Sequence, residues 1–536
     1  MDTLPNVPVT EAAVRPGALP IRAIFVGGLA LGVAGDLLLR GRDGPGLNLF
    51  LLAVGLGVAV WTLSRRVGLT LSREAVVALG VGIALAATLV LRASDALRSF
   101  ALLAATVTFT LPALRAGAAW LSRSGVSEHF EAVGWAGVNA IGGVLRLVRV
   151  TLAGRSAQGP TPGADQPDEG DRHPAWAVLR GLLLAVPFLL AFGALFMSAD
   201  RIFADLVIGL VDIDYQEIGS HLVVTVILTW LACGYLTGFL AGTRLLDLSD
   251  ALGARPAVGI VEIGTALALV DLLFLLFVGV QFRYLFGGGS LVEVTPGLTY
   301  AEYVREGFGH LALACALVLP SLLAADWLLK PQRPRDARVF RVLGGVLLLL
   351  LVVIIASALQ RVRAYQAAYG LTESRFYGAA FVGWLTLLTL WFAATVLRGR
   401  RAGFGFPALV SGLAFVTLLV AVNPDRWIAQ TNLARGGLST VTDRTGEGID
   451  AGYLASLSAD AVPALMDALP RLSPGSRCVL ARGLLKRWGP DRKEQPDWRS
   501  WSWPVARARK MVTAEAVPLG TMVAGGDPAE CPSGGR

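Results

Sequence analysis

Four short polar segments interrupt a mostly apolar sequence and hold dense sets of groups able to do chemistry. The first is Q-F-R-Y-L-F-G-G-G at 281–289, carrying Gln281, Arg283 and Tyr284. The second is G-L-T-Y-A-E-Y-V-R-E-G-F at 297–308, with Glu302, Tyr303 and Arg305. The third is Q-R-V-R-A-Y-Q-A-A-Y-G-L-T-E-S-R-F at 360–376, with Gln360, Arg361, Tyr365, Glu373 and Arg375. The fourth is N-P-D-R-W-I-A-Q-T-N-L-A-R at 423–435, with Asn423, Asp425 and Asn432. Four arginines (Arg283, Arg305, Arg361 and Arg375) suit an anionic or lipid-linked ligand, because a guanidinium binds phosphate or carboxylate with two parallel donors. Tyr284, Tyr303 and Tyr365 would flank it. An enzymatic version would use Glu302, Glu373 or Asp425 as acid or base, although nothing in the spacing singles one out.

Two other readings stand beside the ligand site. Six of the nine tyrosines fall between Tyr284 and Tyr377, as an aromatic belt at a membrane surface would place them. The amides and acids could equally form a structural network tying loops together. Asp271 is a separate case, set in A-L-V-D-L-L-F-L-L-F. A carboxyl at that depth costs about 2.5–3.5 kcal/mol on insertion scales, so it should face the bundle interior, either as a protonated packing group or as a proton or cation site of a transporter.

Other chemistry is poorly supported. His129, His173, His221 and His310 are scattered, without metal spacing, and no C-x-x-C pair occurs. Neither a nucleophile elbow, a phosphate-binding loop nor a dinucleotide fingerprint is present in a plausible context. No metal and no cofactor is therefore expected.

The elements that must position these segments are membrane helices. Of the 536 residues 54% are apolar and 16% charged, against about 45–50% and about 25% in soluble domains. Apolar runs long enough to cross about 30 Å of hydrocarbon recur at Ala23–Leu39, Leu47–Leu63, Ala75–Leu91, Leu97–Leu114, Val178–Phe196, Ile218–Leu240, Val258–Val280, His310–Leu329, Val339–Leu359, Phe376–Leu397 and Phe406–Val422. The fold expected is an all-α polytopic transmembrane bundle of about eleven spans with a small helical C-terminal extramembrane region. Its parts are a four-helix membrane segment (1–114), an interfacial and linker region (115–174) with a disordered stretch at 156–171, a seven-helix core (175–422), an extracytoplasmic region (423–520) and a disordered tail (521–536).

Basic residues set the orientation. Arg65, Arg66 and Arg73, then Lys330, Arg333, Arg335, Arg338 and Arg341, then Arg398, Arg400 and Arg401 fall in loops on one side, while Asp200, Asp205, Asp212, Asp214 and Glu217 crowd a loop on the other. This puts the N-terminus in the cytoplasm of a bacterial cell, the four polar segments on the outer side, and the C-terminal region outside. The same rule accounts for the net charge of +8 without a nucleic-acid partner.

Local signals add detail. Thr299 with Glu302 reads as a capping box, and Gly370–Leu371–Thr372–Glu373 repeats the device, which suggests two helix pairs related as repeats. Gly28 and Gly32, and Gly234, Gly238 and Gly242, form small-residue stripes suited to close helix packing within the chain. Asp460 reads as the cap of A-V-P-A-L-M-D-A-L.

The motifs F-V-G-V-Q-F-R-Y-L-F-G-G, L-T-Y-A-E-Y-V-R-E-G-F, Y-G-L-T-E-S-R-F and N-P-D-R-W-I-A-Q-T-N-L-A-R, with D-A-G-Y-L-A-S-L-S-A-D-A-V-P-A-L, resemble a bacterial membrane family known as domain of unknown function 4173, related to number 4153. The likeness covers about Ala175 to Trp503. It implies a membrane protein and brings no activity, substrate or cofactor. Three functions stay open: recognition of an anionic or lipid-linked ligand, a proton- or cation-coupled transporter, and an envelope signalling or scaffold protein.

Overall fold

A computed structural model of the chain describes residues 20–40, 44–111, 134, 136–144, 215–241, 258–286, 300–329, 333–400, 403–436, 450–490 and 497–525. The long helices are α1 Ile21–Leu39, α2 Leu47–Arg66, α3 Arg73–Leu91, α4 Asp95–Thr110, α5 Tyr215–Ala241, α6 Ile260–Phe286, α7 Tyr300–Leu328, α8 Pro334–Tyr369, α9 Glu373–Thr395 and α10 Gly405–Val422. Then come α11 Pro424–Gly436, α12 Ala451–Ser456, α13 Val462–Ala468, α14 Pro474–Trp488, α15 Trp503–Ala514 and α16 Ala516–Ala524. Among the described residues nine helices are long and apolar enough to cross a membrane. The protein is thus a multi-pass, all-α membrane protein. Those nine correspond to nine of the eleven spans read from sequence. The fourth appears as α4, whose 16 residues reach only about 24 Å. The fifth, Val178–Phe196, lies outside the described residues, as do the 156–171 linker, Asp200–Asp214 and Thr299.

The chain forms two compact units. The smaller joins Arg15–Leu37 to Asn139–Thr237. Within it, α1 and α5 approach at glycines: a Cβ on Gly28 would meet the Cys233 Sγ, and one on Gly32 the Thr229 Oγ1. The buried Asp36 meets His221 Nδ1 at 2.5 Å. The scattered histidines of the sequence gave no hint of this pair.

The larger unit takes in Leu38–Val138 and Gly238–Arg536. Helices α6 to α9 enclose a core that includes Leu267, Leu322, Leu351, Ile355, Val382 and Phe392. The outward side of α6 shows Leu269, Leu272, Leu273 and Leu276, an apolar surface that lipid accepts and water does not. Asp271, on the same helix, is 7% exposed. It faces the interior, as its cost in lipid requires.

A second core is built by the C-terminal helices. Leu454, Leu465, Leu480 and Leu484 are almost fully buried with Val512 and Leu519, each contributing about 1.5–3 kcal/mol relative to exposure. The same cluster includes Ala93, Leu371, Ile428 and Ala429 from the bundle side. The C-terminal module is therefore packed on one end of the membrane bundle. Trp501 reinforces it by accepting the Leu47 N–H at 3.1 Å. Gly46 permits that approach, since a Cβ there would stand 2.5 Å from the Ser500 carbonyl.

Candidate functional site

The joint between bundle and module is made by three chain reversals. At the first, α10 stops at Asn423, whose φ of 55° is left-handed, a conformation asparagine tolerates better than most residues. Pro424 then opens α11 at a position where a missing N–H costs nothing. Asp425 follows in the first helical turn and is fully buried. One of its oxygens accepts the Ser458 N–H at 3.2 Å.

At the second reversal, Gly370 (φ 79°) separates α8 from α9. Asn432 of α11 grips this turn with two hydrogen bonds, accepting the Leu371 N–H at 2.8 Å and donating to the Leu371 carbonyl at 2.7 Å. Arg375 donates to the Gly370 carbonyl at 2.6 Å. The Glu373 N–H goes to the Tyr453 hydroxyl at 2.9 Å, and burial pushes that phenol up to about 12. Thr372 occupies the cap position of α9 but makes no side-chain cap bond, so the expected capping device is absent there.

The third reversal is Arg92–Ala93–Ser94, between α3 and α4. Arg92 donates to the Val420 carbonyl at 2.8 Å, and Ser94 shares a hydrogen bond with the Tyr377 hydroxyl at 3.1 Å. The Ala93 N–H goes to Asp460 Oδ2 at 2.5 Å, and Asn423 donates to Oδ1 at 3.3 Å. Asp460 is therefore a clasp between distant segments and not a helix cap. The cap position of α13 is Ala461. Burial raises the Asp460 carboxyl above the ordinary range, against the pull of the Ala93 N–H and Arg92.

Beside the clasp lies a cleft of about 350 Å³ lined by Arg92, Asn423, Arg426, Trp427, Gln430, Asp460, Trp503 and Arg507, among others. Arg426 and Arg507 are exposed and have no acidic partner among the described residues. Arg507 lies over the Trp503 ring at 5.2 Å. Trp427 and Trp503 are about half exposed at its rim. Ala421 and Val422, at the last turn of α10, also line the cleft, so it opens at the level where a membrane helix ends.

The structure brings together Glu373, Arg375, Asn423, Asp425 and Asn432 from the residues singled out in the sequence. Gln360 and Arg361 sit on α8 ten residues or so before the Gly370 turn, about 15 Å down the helix. Gln281, Arg283 and Tyr284 are in the last turns of α6, and Glu302, Tyr303 and Arg305 in the first turns of α7. Their side chains, with that of Tyr365, lie outside the described residues. Sequence reasoning missed Arg92, Arg426, Trp427, Asp460, Trp503 and Arg507 as one set. A partial signal existed: Trp503 and Arg507 are four apart on one helix, as Arg426 and Gln430 are on another, so each pair shares a face.

No curated protein and no solved structure matches the chain. The family match reaches into α3, further toward the N-terminus than the motif likeness did, and stops at Ala468 instead of Trp503. It falls to the relative of the family that the motifs suggested. With most of α3 and all of α4 to α13 inside that match, the chain belongs to the family described as Domain of unknown function (DUF4153), which spans its residues 79–468.

Proposed function

We propose that the cleft between α10, α11 and α15 binds the anionic, phosphate-bearing head group of a lipid or lipid-linked molecule. One observation carries this reading: Arg426 and Arg507, without acidic partners among the described residues, open on one cleft beside two half-exposed tryptophans. A guanidinium that pairs with no protein carboxylate is free to pair with a ligand's phosphate. Tryptophan rings prefer the head-group level of a bilayer. Both features meet at the end of a membrane helix, where a head group would lie. Arg283, Arg305, Arg361 and Arg375 thereby give way to Arg426 and Arg507 as the principal cations.

The proposed side is the outer leaflet of a bacterial plasma membrane. Arg65, Arg66 and Arg73, the Arg333–Arg341 run and Arg398 stand at helix ends opposite those carrying the C-terminal module, which favours a cytoplasmic location for the basic end. Cys478 in the module is disulfide-bonded, a state that persists in oxidising compartments.

The test uses the full chain in nanodiscs containing phosphatidylglycerol or phosphatidylcholine, with retained lipids counted by native mass spectrometry. The double variant Arg426→Gln/Arg507→Gln should lose phosphatidylglycerol retention by about tenfold or more, with an unchanged unfolding midpoint because both side chains are exposed. Retention equal to that of the unaltered chain overturns the proposal. A proton- or cation-coupled transporter is the second reading, and it rests on Asp271. Its two carboxyl oxygens are buried without a hydrogen-bond partner among the described residues. If Asp271→Asn keeps the lipid but abolishes proton uptake by proteoliposomes, that reading takes precedence.

A further inference from the structure

An ionised carboxylate only accepts hydrogen bonds, so two of them cannot bond to each other. Yet the side chains of Glu373 and Asp425 lie within hydrogen-bonding reach of each other. Asp425 is fully buried, and its Oδ1 is reached by no N–H or hydroxyl donor among the described residues. The missing donor is supplied if the Glu373 carboxyl carries a proton. We propose that Glu373 and Asp425 form a proton-binding site whose single shared proton fastens the C-terminal module to the membrane bundle. The proposal stands apart from the cleft and does not depend on what the cleft binds.

The placement of the pair gives the proton its leverage. Glu373 opens α9 and holds Tyr453 of α12 through its N–H. Asp425, in the first turn of α11, holds Ser458, just ahead of α13. When the shared proton leaves for solvent, a carboxyl and a carboxylate become two carboxylates in a buried contact, and like charges there repel. Asp95 adds to that repulsion and Arg487 opposes it. The other groups facing the site are the Tyr377 and Tyr453 phenols, Asp460, and Arg375 beside Tyr453. Arg92 and Arg98 bear on Asp460. Arg487 is already engaged with the Ala455 and Leu457 carbonyls, at 2.9 and 2.6 Å. Raising the pH should therefore loosen the module.

The experiment titrates the full chain in nanodiscs from about pH 5 to about pH 9, with the proton itself as the probe. Infrared difference spectra follow the protonated-carboxyl band, and hydrogen exchange, corrected for its intrinsic pH dependence, follows the Ser458 amide. The unaltered chain should lose a carboxyl band as pH rises, and that band should be missing from both Glu373→Gln and Asp425→Asn. Exchange at Ser458 should accelerate by about tenfold or more over the range, and by less in Glu373→Gln, whose amide donates to Asp425 at every pH. A band that survives in both variants overturns the proposal. So does Ser458 exchange that stays flat in the unaltered chain, a result that decides the matter even where neither variant accumulates.

Discussion

Asp460 shows how much one carboxyl can hold. Its two oxygens take the Ala93 N–H and the Asn423 amide, so one side chain of the module ties down the α3–α4 turn and the α10–α11 turn together. Removing it strands a buried N–H, and Asp460→Ala should cost about 1–3 kcal/mol, read as a lower unfolding midpoint of the full chain in detergent. Asp460→Asn keeps an acceptor for Ala93 and should cost less. The pH dependence has a definite sign. Burial raises the folded-state carboxyl above its unfolded value, so this group's contribution is fully present below the ordinary carboxylate range. It is lost as pH rises through the raised value. The midpoint should fall with rising pH over that window, with a shallower slope in Asp460→Asn. A midpoint that climbs over the same window would contradict the assignment.

At the scale of elements, the Gly370 turn is where local geometry and long-range contact coincide. Its φ of 79° with ψ of −178° belongs to a region that is essentially glycine's alone. A Cβ would also stand 2.9 Å from Asn432 Oδ1. Gly370→Ala should therefore lower stability by about 1–3 kcal/mol. Gly80→Ala is the control: it lies within α3 with open space around it, and it should be neutral or slightly stabilising. Equal midpoints for the two variants would show that the turn does not position α9 against α11. The helices themselves were legible because an apolar run long enough to cross a bilayer has few other uses, and nine of them stand within a few residues of where the runs place them. Asp460 was misread because a polar residue before an apolar run is a helix cap in most contexts, and the partner that claimed it lies 367 residues away. Glu373, Asp425 and Asn432 were legible as a polar set, but the pairing of Asn432 with Leu371 and of Asp425 with Ser458 depends on turns that bring separate helices together. The cleft was the least visible part, since its arginines and tryptophans come from three separate stretches of chain and look ordinary in each.

Over the whole molecule, polarity along the membrane normal decides what the protein can meet. Helix α2 runs about 30 Å from Leu47, bonded to Trp501 of the module, down to Arg65 and Arg66. α3 climbs back from Arg73 to the Ala93 turn that Asp460 clasps. α9 descends from Glu373 to Arg398, and α10 returns to Asn423. The short basic loops thus share one end and the module holds the other, whatever the path of the residues between 145 and 214. The module has many arginines of its own, but long translocated regions cross largely regardless of charge, whereas short loops obey the positive-inside rule. The orientation we propose therefore rests on the larger unit alone and does not turn on the parity of the total span count. We expect the module to be extracytoplasmic. Single cysteines introduced at two exposed positions, Lys510→Cys in α15 and Arg66→Cys at the foot of α2, can be probed with a membrane-impermeant maleimide on spheroplasts. Lys510→Cys should label at once and Arg66→Cys only after permeabilisation. The reverse pattern would place the module, its cleft and the carboxyl pair in the cytoplasm, and the head group recognised would then belong to the inner leaflet.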